Sequence, residues 1–138
     1  MYTRYFALVM GIVYVVVGLL GFVPGTHPTH AGAPDLAVDA GYGYLLGLFP
    51  INVLHNIVHL AIGALGLAAY ARYDAARNYA RGLAIFYGLL AIMGLIPVLN
   101  TTFGIIPLYG HDIWLHALLA IVAAYFGWMN RETAGTTA

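Results

Sequence analysis

The sequence predicts an all-α fold: an integral membrane four-helix bundle with both termini on one side of the bilayer. Three observations lead there. The chain of 138 residues is 62% hydrophobic and only 7% charged, whereas about a quarter of a soluble domain is charged. One domain of this length has no interior large enough for so much apolar surface, so lipid has to cover it. Four apolar stretches of about membrane length recur, at 5–22, 52–70, 82–99 and 112–129. The five basic residues, all arginine, flank the same ends of those stretches: Arg4, Arg72, Arg77, Arg81 and Arg131.

The first stretch follows Arg4, as a signal peptide would. Pro24, Gly25 and His27 come after it in place of a small-x-small cleavage site, so it reads as a retained span. Gly11, Tyr14, Gly18 and Gly21 fall on three- and four-residue steps, a small-residue face on which another helix can approach closely. The loop 23–51 opens as VPGTHPTHAGAPD, a coil by its proline and glycine content. It closes as GYGYLLGLFP, where Leu45, Leu46, Leu48 and Phe49 predict a short interfacial segment lying on the bilayer. Pro50 ends that segment and is suited to the first turn of the next helix. The loop is long for a bundle connection, which predicts that it covers something. His27 and His30 read as loop residues, and Asp35 and Asp39 as solvated.

The second stretch, NVLHNIVHLAIGALGLAAY, carries its polar residues on one helical stripe: Asn52, His55, Asn56, His59, Gly63, Gly66 and Tyr70. Polar groups are costly in lipid, so that stripe has to face other helices or a cavity. The third stretch has Gly88, Ala91 and Gly94, with Pro97 near its end. The fourth places His116, Ala120, Ala123 and Gly127 on one face. The tail 130–138 is polar. Arg4 and Gly11 are spaced as Arg81 and Gly88 are, and each pair precedes a proline, an outer loop and a histidine-bearing span. That pattern suggests two parallel helical hairpins related by an axis along the membrane normal.

The arginine bias predicts that both termini and the Arg-rich second connection are cytoplasmic. Trp128, Tyr125, Tyr73 and Tyr79 on that side, and Trp114, Tyr109, Tyr42 and Tyr44 on the other, suit interfacial belts. On this topology His55, His59, Asp112 and His116 gather in the outer leaflet with His111 at the mouth. The cytoplasmic halves hold no histidine or carboxylate.

HxxxH at His55 and His59 puts two imidazoles on one face, one turn apart. Asp112 and His116 repeat that spacing on the fourth helix. Two such pairs predict a tetrahedral site for a transition metal ion, with zinc fitting His3Asp and copper, iron, nickel or manganese suiting the same donors. Asn52, Asn56 and His111 would be the surrounding hydrogen-bond partners that set the ring tautomers. A second reading is haem b, or another tetrapyrrole serving electron transfer, held by His59 and His116 between facing helices. Against haem, the outer side has no arginine or lysine for the propionates. The third reading is a cofactor-free structural or accessory subunit whose histidines and asparagines hold helices together by hydrogen bonds.

Other classes fare worse. Cysteine is absent, which excludes disulfides and thiolate chemistry. Serine is absent as well, and nothing activates Thr101 or Thr102 specifically. A metal-assisted hydrolase is conceivable, with Asp112 or a metal-bound water as base. A net charge near zero argues against nucleic acid as a partner. Glycine-rich faces suit homo-oligomers or a larger membrane complex.

At FPINVLHNIVHLAIGALGL and LIPVLNTTFGIIPLYGHDIWLHALLAIVAAYFG the chain resembles a bacterial group of small four-span membrane proteins described only as a domain of unknown function. The HNxxH of the second span and the HDxxLH of the fourth are the most specific parts of that resemblance. It implies a four-helix membrane fold with histidines at His55, His59, His111 and His116, and no activity, substrate or cofactor.

Overall fold

A computed structural model describes residues 1–28 and 31–130. His30, Arg131 and the rest of the polar tail lie outside the described residues. Among the described residues there are four α-helices: α1 (Tyr2–Leu20), α2 (Val53–Ala69), α3 (Tyr73–Gly94) and α4 (His111–Ala124). α4 continues as a π-helical turn, Tyr125–Met129. Two helical segments are long and apolar enough to cross a membrane, Tyr2–Leu20 and His111–Met129, and α2 is a shorter apolar helix.

The helices turn hydrocarbon outward and polar groups inward. Val9, Ile12 and Val16 of α1, Ile57 and Leu65 of α2, Ile85, Leu89 and Ile92 of α3, and Leu118 and Ile121 of α4 are all exposed. Asn52, His55, Asn56, Asp112 and His116 are all buried. Water-soluble proteins seldom present one apolar surface on every side.

α1 packs most extensively on α2, and α3 on α4; α1 and α2 also each meet α3. The first pair is joined by glycine. A Cβ at Gly11 would lie 2.7 Å from the Leu67 backbone nitrogen, and one at Gly63 would lie 2.8 Å from that of Val15. The two backbones therefore touch, which only residues without a side chain permit. Gly94 lets the end of α3 approach the connection that precedes α4, since a Cβ there would come within 2.6 Å of the Leu108 carbonyl oxygen. Phe6, Tyr14, Leu83, Ala84, Tyr87 and Ala123 form the buried core where α1, α3 and α4 converge.

The arginine-bearing end is closed by main-chain bonds. The Arg4 Nε–H donates to the Tyr70 carbonyl at 2.7 Å, satisfying an orphan acceptor at the end of α2. The Nε–H groups of Arg77 and Arg81 both donate to the Gly127 carbonyl, at 3.1 and 2.9 Å, inside the π turn. α3 begins at Tyr73 and so extends well before the apolar stretch that starts at Gly82. Asp74 in its first turn favours that start. The helix stops at Gly94; beyond it Pro97 resists continuation, and Val98 adopts a left-handed φ of 73°.

At the opposite end the expected interfacial segment is instead a β-hairpin. Strands β1 (Gly43–Leu45) and β2 (Phe49–Ile51) pair antiparallel, with Gly43 opposite Ile51 and Leu45 opposite Phe49. Leu46 and Gly47 turn the chain with φ of 55° and 72°, the left-handed conformation that tight hairpins require. The pairing buries Leu45 and Ile51 against the bundle and leaves Leu46 at an exposed tip. Pro50 consequently lies in β2, and Asn52 opens α2. Its side chain accepts from the His55 backbone N–H at 3.0 Å as an N-cap. Its amide donates to the carbonyls of Val38 at 2.9 Å and Ile105 at 2.6 Å, tying both connections of this end to α2. A second tie is made of hydroxyls. Tyr109 bonds Tyr42, and also Tyr44 at 2.9 Å, while Tyr42 donates to the Pro34 carbonyl at 3.0 Å. Burial, and then these bonds, push the Tyr109 hydroxyl pKa above its ordinary value.

Candidate functional site

Under the β-hairpin, α2 and α4 bring three buried ligand-type side chains together. One donor atom from each of His55, Asp112 and His116 lies within 4.8 Å of the others. Their exposures are 5%, 3% and 3%. His55 and Asp112 occupy the first turns of their helices, so the hairpin that fixes the start of α2 also fixes the depth of His55.

The His55 ring is oriented from behind. Its Nδ1 lies 3.1 Å from the Pro50 carbonyl oxygen. A carbonyl only accepts, so Nδ1 carries the proton and Nε2 keeps a free lone pair. Asp112 Oδ2 and His116 Nδ1 are buried without a hydrogen-bond partner among the described residues.

His59 stands one turn further along α2, its ring stacked on that of His55 at 4.6 Å between centroids. It belongs to the neighbourhood and not to the three-residue cluster. Its Nδ1 is also buried and unpartnered. From His59 a row of rings runs across the interior: Tyr14 of α1 at 5.9 Å, then Tyr87 of α3 at 5.8 Å from Tyr14, then His116 at 5.1 Å from Tyr87. The hydroxyls of Tyr14 and Tyr87 are buried without partners too.

The three residues expected to surround the ligands are placed otherwise. Asn52 bonds backbone groups only, and the Pro50 carbonyl takes the role of fixing the His55 ring. Asn56 turns toward α1, where a Cβ at Gly21 would collide with its carboxamide. It lines a separate pocket of about 240 Å³ with His27 and Gly41. His111 is exposed at the rim, where its Nδ1 accepts from the Trp114 indole N–H at 2.9 Å.

Tyr14 and Tyr87 are the residues that composition and charge patterning did not single out as part of a site. A signal existed for Tyr14, which shares the stripe of Gly11 and Gly18. Tyr87 carries the same signal more faintly, on a stripe with Ala80, Ala84 and Gly94, all of them buried.

The residues in hand suit a divalent transition ion. Two imidazoles and a carboxylate are a set that binds zinc with one position left open, and also ferrous iron. Tetrahedral ligands about 2.1 Å from an ion lie roughly 3.4 Å apart. Side-chain rotation of about an ångström therefore closes the 4.8 Å cluster onto one ion.

A family model described as a domain of unknown function (DUF4383) matches residues 4–129. No curated protein and no solved structure matches. The chain belongs to the DUF4383 family.

Proposed function

We propose that this DUF4383 member is a small four-span protein of a bacterial cytoplasmic membrane that binds one divalent transition-metal ion near the outer face. His55, Asp112 and His116 are the ligands in this reading, and His59 is the neighbour able to complete the shell. The outward hydrocarbon on all four helices and the arginine-bearing end support the membrane assignment and its orientation, with both termini and the α2–α3 connection inside.

One observation carries the metal reading. Three buried ligand-type groups from two helices converge while Asp112 Oδ2 and His116 Nδ1 have no hydrogen-bond partner among the described residues. A buried carboxyl without a partner leaves a bond unmade at about 1–3 kcal/mol, and a bound cation supplies that partner. A purely structural interior has no such use for these groups, because hydrogen bonds across helices stabilise only when they are made. A tetrapyrrole between His59 and His116 would have to displace the rings of Tyr14 and Tyr87 that link them. The ion requires only a small rotation of its own ligands.

The test is metal content of the detergent-purified protein by elemental analysis. Wild type is expected to hold about one ion per chain, and His55→Ala, Asp112→Asn and His116→Ala each to lose most of it. His27→Ala, at the separate pocket, is expected to keep it. Equal content in all of these proteins overturns the assignment.

A further inference from the structure

Two cavities flank the row of rings. The first, about 180 Å³, lies between α1 and α4 beneath the β-hairpin, with walls that include Val13, Leu115, Leu119 and Phe49. The second, about 220 Å³, lies between α2 and α3, with walls that include Val58, Phe86 and Leu90. His55, His59, Tyr87 and His116 line both, and Tyr14 and Asp112 line the first.

These spaces define the chemistry of a guest. An apolar cavity of about 150 Å³ in a protein interior holds a benzene ring, so either space takes one ring. Flat rings already lie nearly parallel there: Tyr14 is inclined 10° to His59 and 19° to Tyr87. No arginine lines either cavity among the described residues, which disfavours an anionic guest. Polar groups await a partner of both kinds. The Tyr14 and Tyr87 hydroxyls donate and the His59 Nδ1 accepts or donates; all three atoms are buried without a well-formed hydrogen bond among the described residues, the two hydroxyls lying near enough to interact with each other. Val13, at 43% exposure, and Phe86, at 38%, each belong both to a cavity wall and to the outward hydrocarbon surface. Entry is therefore sideways, from the phase that covers that surface.

We propose that the cavity between α1 and α4 admits the head ring of a lipid-soluble quinone or quinol from the bilayer, with Tyr14, Tyr87 and His59 as its hydrogen-bond partners. A quinone carbonyl accepts from the two hydroxyls, and a quinol hydroxyl donates to the imidazole. The isoprenoid or alkyl tail leaves between Val13 and Leu115. The proposal concerns binding; it stands on the cavities and the unpartnered groups, and because His55, Asp112 and His116 line the same cavity, an ion held by them would sit beside the guest.

The experiment titrates decylubiquinone into the detergent-solubilised full chain by calorimetry, with metal content measured on the same samples. Saturable one-to-one binding is expected, weakened tenfold or more in the double variant Tyr14→Phe, Tyr87→Phe, because two hydrogen bonds are lost. An azido-quinone photolabel on wild type makes the test independent of variant folding. Label is expected on Val13, Leu115 and Leu119. Non-saturating partition that is equal in both proteins, or label spread over Ile57, Ile85 and Ile121, overturns the proposal whether or not an ion is present.

Discussion

Asp112→Asn separates a bound ion from a structural carboxyl by whether its effect depends on the ion. Asp112 is 3% exposed, and its Oδ2 has no hydrogen-bond partner among the described residues. With an ion present at about 100 times its dissociation constant, wild type gains about 2.7 kcal/mol by linkage. The asparagine, a weaker ligand in a set of three, forfeits most of that. With the ion chelated the advantage disappears. Wild type then keeps a buried carboxyl with an unmade bond, and the amide of like shape leaves bonds unmade at a similar penalty, about 1–3 kcal/mol each. The difference between the two proteins should therefore change by about 2–3 kcal/mol between zinc and EDTA. The assay is thermal loss of helical circular dichroism in micelles, with zinc, copper and ferrous iron supplied in turn. The reasoning fails if wild type and variant shift together with every ion, or if no ion moves either.

Two further outcomes concern the bundle. Gly11→Leu should destabilise by about 1–3 kcal/mol through overpacking, since even its first carbon meets the α2 backbone at 2.7 Å; Gly82→Ala, with open space around it, should be neutral or stabilising by up to about 1 kcal/mol, and resistance to SDS unfolding compares the two. The chain lacks cysteine, so a single cysteine at Ala33 should react with a membrane-impermeant maleimide added to intact cells, whereas one at Ala75 should react only after lysis; the opposite pattern refutes the orientation.

The helices and the inward stripe of α2 were legible because membrane-length hydropathy and a three- or four-residue period each report one physical fact. The ends of α3 were not. Hydropathy marks contact with hydrocarbon, and α3 continues through Arg81, Arg77 and Asp74, where backbone bonding persists although the side chains are charged. The hairpin was hidden by its own composition. Leu45, Leu46, Leu48 and Phe49 look equally apolar as a helix or a strand, and only Gly47 hinted at a turn.

At the site, periodicity put Asn52, His55, Asn56 and His59 on one stripe. A stripe some 100° wide still spans two neighbours. Asn56 turns to α1 while His55 turns to α4, and that division depends on which helix lies on which flank. Tyr14 reads as part of the small-residue contact face of α1 and Tyr87 as part of a fainter one on α3, and nothing in their spacing ties either ring to the histidine it lies beside.

His55 comes from the first helical pair and Asp112 and His116 from the second, while the close backbone contacts of Gly11 and Gly63 lie within the first pair. During synthesis the first hairpin is complete long before residue 116 leaves the ribosome. Its backbone contacts need nothing that follows, so in the proposed membrane setting it would wait in the bilayer with His55 uncovered. The polar cluster would then be a late event in biogenesis, made at the moment the second hairpin arrives. An ion bound there, as proposed, would report that the chain has been finished and its halves have met.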